Sequence, residues 1–292
     1  MKTISNLFGE FVKLAGKTKL PDNPIVAGAW ISGNTKYDLD AIPIVANLAT
    51  GFVLWWRATK RSIWRLNPKT ADKLRTVNLG FIPEDPPESW TGQTMVIEAV
   101  NGTLFRDVFS MMAYKVMANA GHERYFLCML TIDGNASVSS IRADALKIDT
   151  GKMLDMGYMR IAADFSGDSR EEYLERSLDG IKFLFATSYY ALEERRVEIK
   201  DRGGPIQRNQ RGKPIKKNGK VLFQWQYLDM DIRPAPSPHY ETGRPIDKEN
   251  LLLEPVIVSP YIRMMKGKAI IVDAHHSHRW KRDGEVAAKI RL

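Results

Sequence analysis

The sequence predicts an α+β fold, with a mixed or mainly antiparallel sheet packed by one long helix and a basic loop protruding from it. Three observations carry this expectation. Apolar segments of strand character recur at 95–100, 124–132, 159–165 and 221–229. The segment from 169 to about 197 keeps its apolar residues on one helical stripe. Between that helix and the last strand lies a run with neither period, 202–220, which holds seven cations and no acid.

The N-terminal residues Ile4, Leu7, Phe8, Phe11, Val12 and Ala15 recur at helical spacing and Gly16 follows as a stop, so a helix is expected over 3–15. Residues 20–36 are rich in Pro, Gly and Asn and read as loop with a short strand near 25–31. The Trp, Phe, Val and Ile of 51–66 favour strand pairs. Residues 95–100 (MVIEAV) read as a strand ending at the turn signal Asn101-Gly102. Residues 104–120 read as helix, 124–132 (RYFLCMLTI) as a buried strand closing at Asp133-Gly134, and 159–165 as another strand.

Ser169 and Glu172 form a capping box, in which hydroxyl and carboxylate each satisfy a helix-end amide. Leu174, Leu178, Ile181, Phe185 and Leu192 continue the helix on one face. The basic run, with four glycines and two prolines, must then be a loop or an extended hairpin tip between 197–200 and 221–229. Phe223, Trp225 and Tyr227 alternate along the next strand. Residues 255–265 and 268–273 flank Lys266-Gly267-Lys268 as a final hairpin. There is no repeat of 20–50 residues.

With 292 residues, 44% hydrophobic and 26% charged, the chain has the apolar content for a substantial core and too much of it for disorder. It is read as one domain over 1–292, with the acidic, Pro-rich segment 83–88 (PEDPPE) as a candidate subdomain boundary. A single cysteine, Cys128, excludes intramolecular disulfides, Cys-rich zinc modules and a CxxC pair, and its place in a buried strand makes it an inert core residue. A reducing, cytoplasmic compartment is the matching expectation. Glu10 and Lys13 interrupt the apolar stretch a signal peptide would need. Pro43, Asn47, Gly51 and Arg57 break the longest apolar run short of a membrane span, so no membrane partner is expected.

The charge is segregated. Residues 57–75 carry +6, 202–220 carry +7 and 259–292 carry +5, which leaves −9 on the rest of a chain whose total is +9. Surfaces without a charged partner usually intersperse their signs. An acidic body with three basic segments therefore points to a polyanion or an acidic protein surface as partner.

Of the chemical motifs, GxxxxGK[ST] and GxGxxG are absent, as are GxSxG, HExxH and the kinase signatures. No organic cofactor is expected, and a divalent metal is the one candidate ligand. Two clusters could carry chemistry. Asp273, His275, His276 and His278 gather three of the five histidines at a predicted strand end, and Asp273, His275 and His278 are candidates for metal ligation or acid and base work. The competing reading is that these histidines simply extend the adjacent basic tail. Asp229 and Asp231 place two carboxylates on one face of a strand, the donor set of a magnesium site, although such a pair also serves to cap a strand or bind an arginine. Beside the basic loop, Phe223, Trp225 and Tyr227 either offer stacking faces to unpaired bases or pack as core under the long helix.

The stretch 259–273 (SPYIRMMKGKAIIVD) and the His/Arg tail after it resemble the C-terminal ends of uncharacterised phage- and plasmid-borne proteins. In these a Pro-aromatic-x-Arg element precedes a Gly-Lys turn and a short apolar strand. Tyr261 departs from the pattern, standing where histidine is common. The resemblance implies a phage or mobile-element source and transfers no activity.

The expected function is a nucleic-acid-binding protein whose phosphate contacts come from Arg208, Arg211, Lys213, Lys216 and Lys217, with Arg57, Lys60, Arg61, Arg279 and Lys281 in support. The alternatives are a metal- or histidine-dependent nuclease using the clusters above, and an interaction protein that sets its basic face on an acidic host protein or on a second copy of itself.

Overall fold

The computed structural model describes residues 3–35, 42–79, 85–117, 123–142, 159–163, 170–193, 197–209 and 211–232, together with short strands between 256 and 288. The α+β class holds. Its centre is an eight-stranded mixed sheet with strand order β7-β6-β5-β4-β3-β1-β11-β8. Strands β3 (Thr94–Ala99), β4 (Val108–Met117), β5 (Glu123–Thr131), β6 (Ala136–Arg142) and β7 (Met159–Ala163) form an antiparallel meander. β1 (Ser62–Leu66) lies parallel to both β3 and β11 (Gln226–Ile232), and β8 (Val197–Asp201) closes the edge antiparallel to β11. β1 and β3 thus pair across the Pro-rich segment 83–88.

Helices cover both faces, so the single long helix expected to pack the sheet is one part of a larger cover. On one face α1 (Ile4–Ala15), α2 (Pro24–Gly33) and α3 (Ile42–Arg57) share a core with Ile63, Val96, Met112, Tyr114, Cys128 and Val138. On the other, α4 (Pro68–Arg75) and α5 (Arg170–Phe185) pack on Trp64, Leu66, Met95, Ile97, Met111, Leu127 and Met129. Neighbouring residues of one strand alternate between the two cores, as the pleat requires. A sheet covered on both faces loses the apolar-polar alternation that marks a half-exposed strand.

Three segments depart from the sequence reading. The stretch near 25–31 is helical: Asn23 Oδ1 accepts from the amides of Ile25 and Val26, Pro24 opens the first turn, and Ala27 and Ile31 are buried. Residues 51–57 complete α3, and only 62–66 form a strand. Ile44, Val45, Leu48, Phe52, Val53 and Trp55 are all buried, so packing overrides the strand preference of these residue types. Residues 108–117 form β4, not a helix. The helix-forming Met111, Met112 and Ala113 there are buried between β3 and β5, with no polar face to reveal the period.

Helix α5 begins at Arg170 and widens into a π-helical run, Ala186–Glu193; its expected cap, Ser169, lies outside the described residues. At the widening, the Thr187 and Ser188 hydroxyls donate to the carbonyls of Phe183 and Leu184, and Trp90 Nε1 donates to Ser188 Oγ at 2.8 Å. These side-chain bonds compete for carbonyls of the regular ladder. In the C-terminal region, β13 (Tyr261–Met265) and β14 (Lys268–Val272) make the expected hairpin, and β13 also runs parallel to β2 (Asn78–Leu79). No helix among the described residues is long and apolar enough to cross a membrane.

Helix α1 is docked through a carboxylate. Glu98 of β3, 5% exposed, accepts from the Ser5 amide at 2.8 Å and the Ser5 hydroxyl at 3.1 Å, while Ser110 Oγ accepts from the Ile4 amide. A carboxylate at a helix N-terminus satisfies orphan amides and complements the dipole. Behind it Phe8 meets Phe52 and Trp55 with ring centroids 5.1 and 4.7 Å apart. Helices α2 and α3 cross at Gly28, where a Cβ would stand 2.7 Å from the Thr50 backbone nitrogen. Burial pushes the Glu98 carboxyl above its ordinary range, against the opposing pull of the Ser5 amide and hydroxyl.

Two expectations follow. A carboxyl whose folded value is raised favours the fold below the unfolded value, about 4.3, and that contribution is lost as pH rises through the folded value. Urea denaturation across pH should therefore show wild type losing stability relative to Glu98→Gln as pH climbs from about 4. Glu98→Ala, which leaves the Ser5 amide unsatisfied, should cost about 1–3 kcal/mol at neutral pH. Gly28→Ala should cost a similar 1–3 kcal/mol by the same measurement, because backbone rather than a movable side chain blocks the added methyl.

Candidate nucleic-acid interface

The basic run forms a hydrogen-bonded ribbon, the hairpin alternative of the sequence reading. β8 runs out of the sheet as Arg202 N donates to Tyr227 O, and the chain returns through Gln224 N to Pro205 O. A stem pairing Ile206 with Phe223 then splits into two tips. At one, Asn209 Oδ1 accepts from the amides of Arg211 and Lys213 and Arg208 Nη1 donates to Gly212 O. The other joins β9 (Lys216–Lys217) to β10 (Lys220–Val221) through Asn218 and Gly219, with φ of 51° and 75°. Positive φ at both residues is the turn that suits a two-residue hairpin. At the ribbon's root a Cβ on Gly204 would lie 1.9 Å from the Trp225 carbonyl oxygen, so only glycine lets the strands approach there.

The register places Lys217 directly opposite Lys220. Like charges facing across a strand pair are destabilising, and among the described residues neither has an acidic partner. Arg208, Arg211, Lys213, Lys216 and Lys217 are all exposed on this ribbon.

Between the ribbon and the loop joining α3 to β1 lies an open groove of about 950 Å³. Its cations come from two separate basic windows: Lys60 and Arg61 from one, Lys217 and Lys220 from the other. The parallel pairing of β1 and β11 brings them together, with Ser62 beside Gln226 and the Gln226 amide donating to Arg61 O. Arg61 braces the groove. Its Nε donates to Trp56 O at 2.8 Å, Nη1 to Gln224 O at 3.3 Å, and its guanidinium lies 4.0 Å from the Trp56 ring centroid. Burial lowers its affinity for the proton, yet an arginine stays charged at any working pH. The one carboxylate in the lining, Asp201, accepts from the Gly203 amide and Gln226 Nε2, each at 2.7 Å.

The other predicted residues make their contacts outside the groove or at its edge. Arg57 is spent on the loop before α2, donating to the carbonyls of Pro21 and Asp22, and it does not line the groove. Trp225 and Tyr227 belong to the core on the α3 side, with Trp225 5.8 Å from Trp55; the aromatic row thus packs on the face opposite the long helix. Asp229 and Asp231 do share a face of β11, and cations surround them. Asp229 lies 2.7 Å from Arg202 Nε and 3.6 Å from Arg65 Nε. Asp231 lies 3.7 Å from Lys200 and accepts from Asn67, the N-cap of α4. Strand register explains this arrangement, because Glu98, Arg65, Asp229 and Lys200 stand side by side across four strands with alternating sign.

Among the described residues no three His, Cys, Asp or Glu side chains are grouped to hold a metal ion. Asp273 and His278 lie outside the described residues. His275 is on β15 (His275–Ser277) opposite Val258, and Arg279 and Lys281 are on β16 (Arg279–Arg282). Cys128 is fully buried, which pushes its thiol up and leaves it unreactive. Sequence reasoning passed over Lys220, Gln207 and Gln224 as site residues; the Asn218-Gly219 turn signal was the cue that would have set Lys217 against Lys220. Compared with known proteins, the chain matches no family model, no curated protein and no solved structure.

Arg61→Lys keeps the charge and removes the fork that ties the two walls. Amide hydrogen exchange should then quicken at 222–226, while the meander strands β4 and β5 stay as protected as in wild type.

Proposed function

We propose that this protein binds nucleic acid through the split basic ribbon and the groove at its root, and that it is encoded by a phage or mobile element, as the resemblance of its C-terminal stretch implies. The observation that carries the reading is the facing pair Lys217 and Lys220, without an acidic partner among the described residues and lining one groove with Lys60 and Arg61. A fold that concentrates cations against their mutual repulsion is suited to a polyanion, whose phosphates relieve the repulsion and whose condensed counterions are released on binding. The ribbon is held by its own hydrogen bonds and needs little ordering on contact. The exposed lysines and arginines of its tips serve for backbone contact, which carries no sequence preference by itself.

Fluorescence anisotropy with labelled DNA and RNA over a salt series tests this. Affinity should fall steeply with salt, with a log-log slope of about −0.7 to −0.9 per phosphate contact. Neutralising Arg208, Arg211, Lys213, Lys216 and Lys217 to Gln should weaken binding by at least about 100-fold near 100 mM salt and flatten the slope. A shallow salt dependence, or a variant that binds like wild type, would falsify the reading.

A further inference from the structure

We infer that the groove at the ribbon's root takes an unpaired nucleotide, so that the protein prefers single-stranded nucleic acid over a duplex. This rests on the nucleic-acid reading above and adds to it a binding site for a base. The groove is concave and, at about 950 Å³, falls in the size range of sites that enclose a small ligand. A duplex presents a stiff convex surface, and proteins that read it insert a protruding element into its grooves; a concavity of this size instead fits one or two nucleotides free to leave the stack.

Its chemistry is divided as a nucleotide is. The lining carries Lys60, Lys217 and Lys220 for phosphate, with the Arg61 guanidinium beside them already donating to the carbonyls of Trp56 and Gln224. The wall carries Phe223, half-buried and packed on Gly203. Trp225 is engaged with the rings of Trp55 and Tyr227, whereas Phe223 has no ring partner among the described residues and can offer its face to a base. Gln207 and Gln226 line the groove with their amides held in place, Gln207 Nε2 donating to Phe223 O at 2.8 Å and Gln226 Nε2 to Asp201 Oδ2 at 2.7 Å. Each keeps its carbonyl oxygen as an acceptor for a base N–H. Trp225 also borders the groove, and its buried Nε1–H has no hydrogen-bond partner among the described residues.

The test compares three labelled probes by anisotropy at one salt concentration: a single-stranded DNA, the blunt duplex of the same sequence, and an abasic strand of the same length. Wild type should bind the single strand about 10-fold more tightly than the abasic strand, the size of one base stacked on an aromatic ring, and more tightly than the duplex. Phe223→Leu should remove most of the advantage over the abasic strand and leave abasic binding unchanged; Phe223→Tyr should restore it. Lys220→Gln should weaken single-strand and abasic binding alike. Equal affinity of wild type for all three probes overturns the inference and leaves the nucleic-acid reading standing. An unchanged single-strand affinity in Phe223→Leu overturns it as well. Failure to bind any of the three overturns the nucleic-acid reading itself. Because the probe comparison is made on wild type, it decides the matter even if a Phe223 variant folds poorly.

Discussion

The parallel pairing of β1 with β11 is the contact on which both the core and the candidate site depend. β1 is five residues long, and it joins the antiparallel meander to the ribbon-bearing edge of the sheet. Ile63 enters one core while Trp64 and Leu66 enter the other. The same register sets Lys60 and Arg61, just before β1, beside Gln224 and Gln226 at the start of β11. A parallel pair cannot be closed by a tight turn, so the whole meander, α5 and β8 lie between these strands in the chain. The groove is made by that long-range closure.

Polar groups inside the sheet follow the same register. Glu98, Arg65, Asp229 and Lys200 form a cross-strand row of alternating charge, and Glu98 doubles as the acceptor for the first turn of α1. Burying charge is costly unless it is paired and hydrogen-bonded. Here the row supplies the pairing, and the carboxylates of β11 are drawn into it. The contrast with the ribbon is physical. In the sheet every carboxylate of the row has a cation beside it, whereas across the ribbon two lysines face each other with no acid beside them among the described residues. Among the described residues, charge near the core is neutralised by its neighbours, and the facing lysines of the ribbon are not.

How legible the fold was depended on exposure. The strands at 94–99, 123–131 and 159–163 and the hairpin at 261–272 could be read because turn residues or apolar runs of strand length bound them. α3 and β4 were exchanged in type because each is buried on nearly all sides. With no solvent face, the 3.6 and 2.0 periods vanish, and residue preference alone favours strand for Phe52 and Trp55 and helix for Met111 and Met112. α2 hid behind its Pro and Gly, although Asn23 followed by Pro24 is a helix-start signal with a clear mechanism.

The sequence by itself determined the α+β class, the inert placement of Cys128, the absence of the common phosphate-loop and hydrolase motifs, and the segregation of charge into basic windows. These are properties of composition and of local pattern, which neighbouring residues impose on one another. Tertiary structure alone decided that Lys60 and Arg61 share a groove with Lys217 and Lys220. It also decided that Arg57 is consumed by the loop before α2, that Tyr227 is core, that Trp225 is core at the groove's edge while Phe223 lines the groove without joining the core, and that Asp229 and Asp231 are held by cations. Each of these rests on contacts between residues far apart in the chain, which the packing of the sheet between its two helical layers creates and no local pattern encodes.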